Sequence, residues 1–193
     1  MDAFAILIQA ASENPPPSQT VVNALLAAEK AARQDKPTYP FDSLVGTWRL
    51  RFITGTKKTR QRAGVVLGAG RYLPRWVKIS LSYSRQEKSI PDANVESGRV
   101  ENSVQLGGLK MTLTGPVKFL FGKNLLAFDF TSIQVQLFGM KVYQGSLRGG
   151  KEAEEKFYSD RIAQQAFFSY FWVTETAIAA RGRGGGLALW TKA

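Results

Sequence analysis

The sequence predicts a mainly β chain: an antiparallel up-and-down β-barrel of about eight strands, preceded by one or two N-terminal helices. Three observations predict it. From Val45 onward apolar and polar residues alternate with a period of two, the mark of strands with one dry and one wet face. Glycine- and proline-containing turn signals separate these runs. No helical pattern long enough for a crossover lies between them, so consecutive strands are antiparallel neighbours that close into a barrel. The boundary falls near residue 40, with a helical segment over 1–40 and the barrel over 41–193.

Taken in order, Phe4, Leu7, Ile8 and Ala11 share one helical face. Pro15, Pro16 and Pro17 end that helix, and Ser18 serves as N-cap for a second one running to about Gln34, with Val21, Leu25, Ala28 and Ala32 on its apolar face. Pro37 and Pro40 close the segment. In the first strand Trp48, Leu50 and Phe52 alternate with Thr47, Arg49 and Arg51. Val77, Ile79, Leu81 and Tyr83 repeat the pattern. Val100, Val104 and Leu106 follow, with Asn102 falling on the apolar side, and then Leu109, Met111 and Leu113. Over 125–147 the phase slips. Phe128 and Phe130 share one face and Ile133, Val135 and Leu137 the other, which calls for a bulge near Ser132 or two separate strands. Residues 151–157 form a charged loop or a single helical turn. Residues 166–180 and 187–190 supply the last strands around the glycine-rich turn 181–186, and Asp129 and Glu175 fall within strands. Turns are expected at Gly68-Ala69-Gly70, Pro91-Asp92, Gly107-Gly108, Gly122-Lys123-Asn124 and Gly149-Gly150.

The 193 residues contain no Cys and no His. That removes disulfides, Cys/His zinc sites, a thiol nucleophile and an imidazole base. No Gly-x-Ser-x-Gly elbow is present, and the Gly-rich run Arg181-Gly182-Arg183-Gly184-Gly185-Gly186 lacks the Lys-Ser/Thr ending of a phosphate loop. The acids Glu152, Glu154 and Glu155 read as a solvated cluster. The residues argue against an enzyme, with no catalytic group, metal or cofactor expected. Apolar runs are far shorter than the ~20 residues a spanning helix needs, and the start has no basic n-region, so neither a transmembrane segment nor a signal peptide is expected.

The formal charge is +11. Residues 43–90 hold eleven bases against one acid, whereas residues 1–40 are slightly acidic. Arg49, Arg51 and the hairpin-tip cluster Lys57, Lys58, Arg60 and Arg62 form the candidate patch for anionic membrane lipids, each base near such a surface contributing ~1 kcal/mol. Nucleic acid is the weaker alternative, because most aromatics sit on the apolar phase and not among the bases. The candidate lining for a hydrophobic small molecule is Phe52, Ile79, Leu81, Tyr83, Val104, Met111, Leu113, Phe128 and Phe130, the dry phase of the barrel strands.

Leu44-Val45-Gly46-Thr47-Trp48-Arg49-Leu50 resembles the Gly-x-Trp opening strand of lipocalin-type barrels. Gly98-Arg99-Val100-Glu101-Asn102-Ser103-Val104 resembles the mid-chain strand of plastid lipid-associated proteins, the fibrillins. Ala180-Arg181-Gly182 followed by Gly186-Leu187-Ala188-Leu189-Trp190 resembles the ending of the same family. The order and spacing cover nearly the whole chain, in a short form without a transit peptide that suits a cyanobacterium. The resemblance implies a lipocalin-like barrel, peripheral association with thylakoids (on their cytoplasmic side, or within a plastid) or with lipid globules, and binding of a lipid, prenylquinone or carotenoid. It also implies the alternative of a scaffold for a prenyl-lipid enzyme or photosynthetic complex, contacted through the helices or the aromatic strand 167–172. The family motif falls on Gly46, Trp48, Arg181 and Gly182, and implies that Trp48 packs against Arg181 in a cation–π contact of ~0.5–2 kcal/mol. The stretch Thr174-Glu175-Thr176 departs from the family's acidic pair.

Overall fold

The computed structural model describes residues 2–12, 14–55, 70–86 and 94–193. The expected turns at Gly68-Ala69 and Pro91-Asp92 fall outside them. Two helices come first, α1 (Ala3–Ala11) and α2 (Ser18–Asp35), followed by a 3-10 turn at Phe41–Ser43. The strands are β1 (Gly46–Ile53), β2 (Arg71–Tyr72), β3 (Val77–Arg85), β4 (Val95–Leu106), β5 (Leu109–Leu120), β6 (Leu125–Phe128), β7 (Ser132–Leu137) and β8 (Met140–Ser146). Helix α3 (Lys151–Phe157) then precedes β9 (Ala166–Val173), β10 (Ala177–Gly182) and β11 (Leu187–Lys192). The charged segment expected as a loop or one turn is therefore a seven-residue helix.

Eight strands run round the barrel in the order β4-β3-β1-β11-β10-β9-β6-β5, and pairing of β5 with β4 closes it. The barrel is antiparallel, as the alternation predicts, and lipocalin-like, as the resemblance implies. Side chains of the described residues pack its interior. Trp48, Leu81, Tyr83, Val100, Val117, Phe119, Leu126, Tyr170, Ile178 and Trp190 form the packed core. One end is plugged by Phe41 and Leu44, both fully buried, with Phe41 stacked on Phe119 at 5.7 Å. The Trp48 indole donates to the Leu44 carbonyl at 2.7 Å and fixes that plug to the first strand.

A second core lies outside the barrel. Leu7 and Ala10 of α1 and Val21, Leu25 and Ala28 of α2 pack on Phe52, Phe171, Trp172, Ala179 and Leu189. Two β-bulges create this surface. In β1 the register against β11 slips between Leu50 and Phe52, so Arg51 is the extra residue and Phe52 turns outward. In β9 the register against β10 steps from Trp172 to Tyr170, which leaves Phe171 extra and sends both Phe171 and Trp172 outward. Small residues opposite, Ala177 and Ala179, let the helices approach closely. Arg51 donates to the Ser12 carbonyl at 3.1 Å and to that of Ala11, at the carbonyl-rich C-terminus of α1.

The phase slip expected near Ser132 is the break between β6 and β7. Both pair with β5, β6 with its C-terminal part and β7 with its N-terminal part, so together they form one long strand interrupted at 129–131. Asp129 lies in that break, paired with Arg148 at 2.6 Å, and Glu175 lies in the turn before β10; neither is within a strand.

This arrangement splits the sheet. β1 pairs with β3 only at Gly46–Arg49, and β2 takes its edge beyond that point. β6 continues into β7, whose outer edge is taken by β8 and not by β9. The start of β3, the end of β4, the start of β5, β7 and β8 therefore extend past the closed barrel as one flange.

Candidate functional site

The flange has two chemically distinct faces, because its cross-strand rows alternate. One row of neighbours reads Ser80, Ser103, Thr112, Gln134 and Gln144, a polar outer face. The adjacent rows read Ile79, Val104, Met111, Val135 and Tyr143, then Val77, Leu106, Leu109, Leu137 and Met140. These share the phase of Leu81, Tyr83, Val117 and Phe119, so the apolar lining of the barrel runs outward onto the inner face of the flange. There it is uncovered. Leu106, Leu109, Met111, Leu137, Met140 and Tyr143 are all exposed, Met140 at 68%.

Of the nine residues expected to line a pocket, eight lie on this phase. Leu81 and Tyr83 are buried in the packed core, and Ile79, Phe128 and Phe130 pack against it at the mouth. Val104, Met111 and Leu113 continue onto the flange. Phe128 stacks on Phe168 at 5.0 Å, and Phe168 meets Trp190 edge-on at 5.4 Å, which makes an aromatic floor where barrel and flange join. Phe52 is the exception. The bulge at Arg51 places it, fully buried, beneath the helices against Tyr72.

The tip of the flange gathers side chains that the sequence reading missed. Trp76 is 71% exposed beside the start of β3, and Phe138 is 78% exposed at the β7–β8 turn. Phe138 has a positive φ of 48°, and its backbone N–H donates to the Gly108 carbonyl at 2.7 Å, which ties this turn to the β4–β5 turn. Both strand ends lie at the same edge. Lys78, Lys110 and Lys141 share one cross-strand row of the polar face there, Arg75 directly precedes Trp76, and residues 75–80, 103–113 and 133–144 contain no acid. The run Leu137-Phe138-Gly139-Met140, with aromatic and thioether residues across a turn where polar ones are usual, was the available signal.

Of the expected membrane patch, only Arg49 and Arg51 lie among the described residues. Arg51 is committed to α1, and Arg49 donates to the Arg75 carbonyl at 3.2 Å. Lys57, Lys58, Arg60 and Arg62 lie outside the described residues. The expected Trp48–Arg181 contact is also absent. The cation over the Trp48 ring is Lys192, 4.3 Å from its centroid, with its amine donating to the Val45 carbonyl. Arg181 sits near the end of β10 and points to the helices, where Glu29 of α2 accepts from its Nε at 2.6 Å. At Gly46 φ is +121°, and a Cβ there would meet the Lys192 amine at 2.6 Å. Phe171 and Trp172 are buried beneath the helices, so that part of the aromatic strand offers no protein contact.

A separate cleft of about 670 Å³ lies between α2 and the β5–β6 and β10–β11 turns, with Glu29, Arg33, Arg181 and Arg183 among its walls. These charges are largely spent on the fold. Arg33 and Arg181 hold Glu29, and Arg183 donates to the Gln164 and Gln165 carbonyls. No described helix is long and apolar enough to cross a membrane, and the described residues contain no group of three metal-ligating side chains. Comparison of the chain with protein-family models, curated proteins and solved structures finds no match.

Proposed function

We propose that the protein is a non-enzymatic lipid carrier that rests flange-tip first on an anionic membrane and holds a hydrophobic molecule at the barrel mouth. The carrying observation is the inner face of the flange, an apolar surface continuous with the barrel core yet open to solvent, with four bases near its tip. Exposed apolar patches of this kind mark interaction surfaces. Trp76 and Phe138 are suited to the headgroup boundary, where large rings combine apolar area with few rotatable bonds. The four bases add attraction to anionic headgroups that weakens with salt. Because the barrel interior is packed, the ligand lies across the mouth on the Phe128, Phe130 and Phe168 floor, and does not thread through the barrel. With the resemblance to plastid lipid-associated proteins, this reading takes the ligand as a prenyl lipid or carotenoid and the surface as a thylakoid.

Vesicle co-sedimentation tests the reading. Wild-type protein is expected to bind vesicles containing phosphatidylglycerol at low ionic strength and to leave them at high salt. The double variant Lys110→Glu/Lys141→Glu, confined to solvent-facing positions, should lose that binding, and Phe138→Ser/Met140→Ser should weaken it at every salt concentration. Equal binding by all three proteins would overturn the reading.

A further inference from the structure

The inner face carries one polar anomaly at the depth of the mouth. Asn102 of β4 lies between Leu81 of β3 and Leu113 of β5, on the apolar phase. Its Oδ1 is buried and has no hydrogen-bond partner among the described residues. A buried carbonyl left unpaired carries the full cost of its lost hydration, so such atoms in folded proteins call for a partner. The adjacent rows supply none: Ile79, Val104 and Met111 on one side offer no donor side chain, and the Tyr83 hydroxyl on the other is paired with that of Tyr170. Nor does the strand need a polar residue there, since Val100 and Val104 occupy the same phase on either side.

The charge on this face narrows the chemistry. The rows that line the mouth contain no Lys, Arg, Asp or Glu, because the bases of β3, β5 and β8 (Lys78, Lys110 and Lys141) belong to the opposite phase. A carboxylate or phosphate brought here would be desolvated without a counter-charge. An unfunctionalised hydrocarbon would leave Oδ1 unpaired. A ketone or ester, an acceptor only, could take a proton from the Asn102 amide nitrogen but would leave Oδ1 unpaired.

We infer that the mouth selects a neutral amphiphile bearing a hydroxyl on a long apolar chain, with the hydroxyl donating to Asn102 Oδ1 and the chain lying along Ile79, Val104 and Met111. The inference rests on the proposed lipid-carrier reading and names the ligand class within it. Asn102 is then a specificity residue: its amide adds little to the affinity for apolar chains in general and discriminates among head groups.

Equilibrium binding of four probes tests it: farnesol, the ketone farnesylacetone, the hydrocarbon farnesane and farnesoic acid, each below its aggregation limit. Wild-type protein is expected to bind farnesol best. In Asn102→Leu, which removes the unpaired carbonyl without adding a polar group, farnesol binding should fall roughly 5- to 10-fold, as for loss of one buried hydrogen bond. Farnesane binding should hold or improve, and the ligand-free variant should melt no lower than wild type. If the ketone or the acid binds best, or if the variant leaves the order of the probes unchanged, the hydroxyl assignment falls while the carrier reading stands. If an ordered water satisfies Oδ1, the ligand-free variant will melt lower and farnesol will hold no advantage over farnesane; that also overturns it. If none of the four binds, the carrier reading falls with it.

Discussion

Glu29 of α2 and Arg181 of β10, 152 residues apart, are joined by a two-pronged ion pair. Nε of Arg181 donates to Oε1 at 2.6 Å and Nη2 to Oε2 at 2.5 Å. A third nitrogen of the same guanidinium donates to the Gly185 carbonyl at 2.6 Å, so one side chain fixes both the helix and the β10–β11 turn. Fork-to-fork pairs of this kind fix orientation as well as adding energy.

Glu29→Gln should loosen the helical layer. The expected loss is about 1–3 kcal/mol in chemical denaturation, since the variant leaves a partly buried guanidinium without its counter-charge. The hydrogen bond from Arg181 is the main cause holding the Glu29 carboxyl below its ordinary range, with burial opposing it. A depressed acid contributes stability that is present above its unfolded value and lost as pH falls through the folded one. Wild-type stability should therefore drop on acidification below about pH 4.5 by more than that of the variant.

Phe52→Ala should cost about 3–5 kcal/mol, as for a large ring removed from a filled site. The ring is fully buried between Tyr72 and the helices. Lipid-probe binding at the mouth should be unchanged in protein that remains folded, because the residue faces away from the barrel interior.

Gly46→Ala should destabilise by about 1–3 kcal/mol, combining a positive φ with a crowded Cβ. Lys192→Met in the same background should relieve only the crowding, since the Lys192 amine is the atom that Cβ would meet. Denaturation midpoints of the two single variants and the double variant separate these contributions.

Lys118 is a buried base on the outer side of β5, donating to the Phe157 carbonyl at 2.9 Å and the Asp160 carbonyl at 2.7 Å. Burial lowers its affinity for a proton, with Asp160 opposing the effect. The unfolded chain therefore holds this proton more tightly than the folded one, and stability should rise as pH climbs from the folded value toward 10.5. Lys118→Met should lack that rise and lose about 1–3 kcal/mol near neutrality, because the Asp160 carbonyl loses its donor. Paired pH–stability curves check both effects.

The hydroxyls of Tyr83 and Tyr170 meet at 2.8 Å inside the barrel. Burial pushes both well above the ordinary tyrosine range, so neither should ionise before the barrel unfolds. Tyr83→Phe should cost about 1 kcal/mol by leaving Tyr170 unpaired. The double variant with Tyr170→Phe should cost less than the sum of the singles.

The strand alternation was legible because each dry phase matches one face of the barrel: Trp48 and Leu50, Ile79 to Tyr83, and Val100 to Leu106 with Asn102 among them. What escaped was every position where a non-local contact reassigns a face. A period-two pattern carries Phe52 with Leu50, and only pairing with β11 reveals Arg51 as an inserted residue. Lys118 reads as a wet-face residue until α3 and the turn after it fold over β5. Arg51 reads as a membrane-facing base, but α1 lies against it. The mouth was legible as a set of residues and not as a shape, since the parting of β1 from β3, and of the β6–β7 strand from β9, is set by pairing partners far apart in sequence.

The β4–β5 hairpin belongs to two structures at once. Its strands are twelve residues long. β4 up to Ser103 flanks the part of β3 that pairs with β1, and β5 from Val117 pairs with β6, so these parts stand in the closed ring, whereas Val104 to Leu106 and Leu109 to Thr114 belong to the flange. Amide protons on the ring half should exchange with solvent only through whole-domain unfolding, whereas those near Leu106 and Leu109 open with the tip alone. Protection should thus fade along one uninterrupted ladder of hydrogen bonds. The same two strands would then be rigid where they enclose the core and compliant where they meet a partner, with no hinge residue required between.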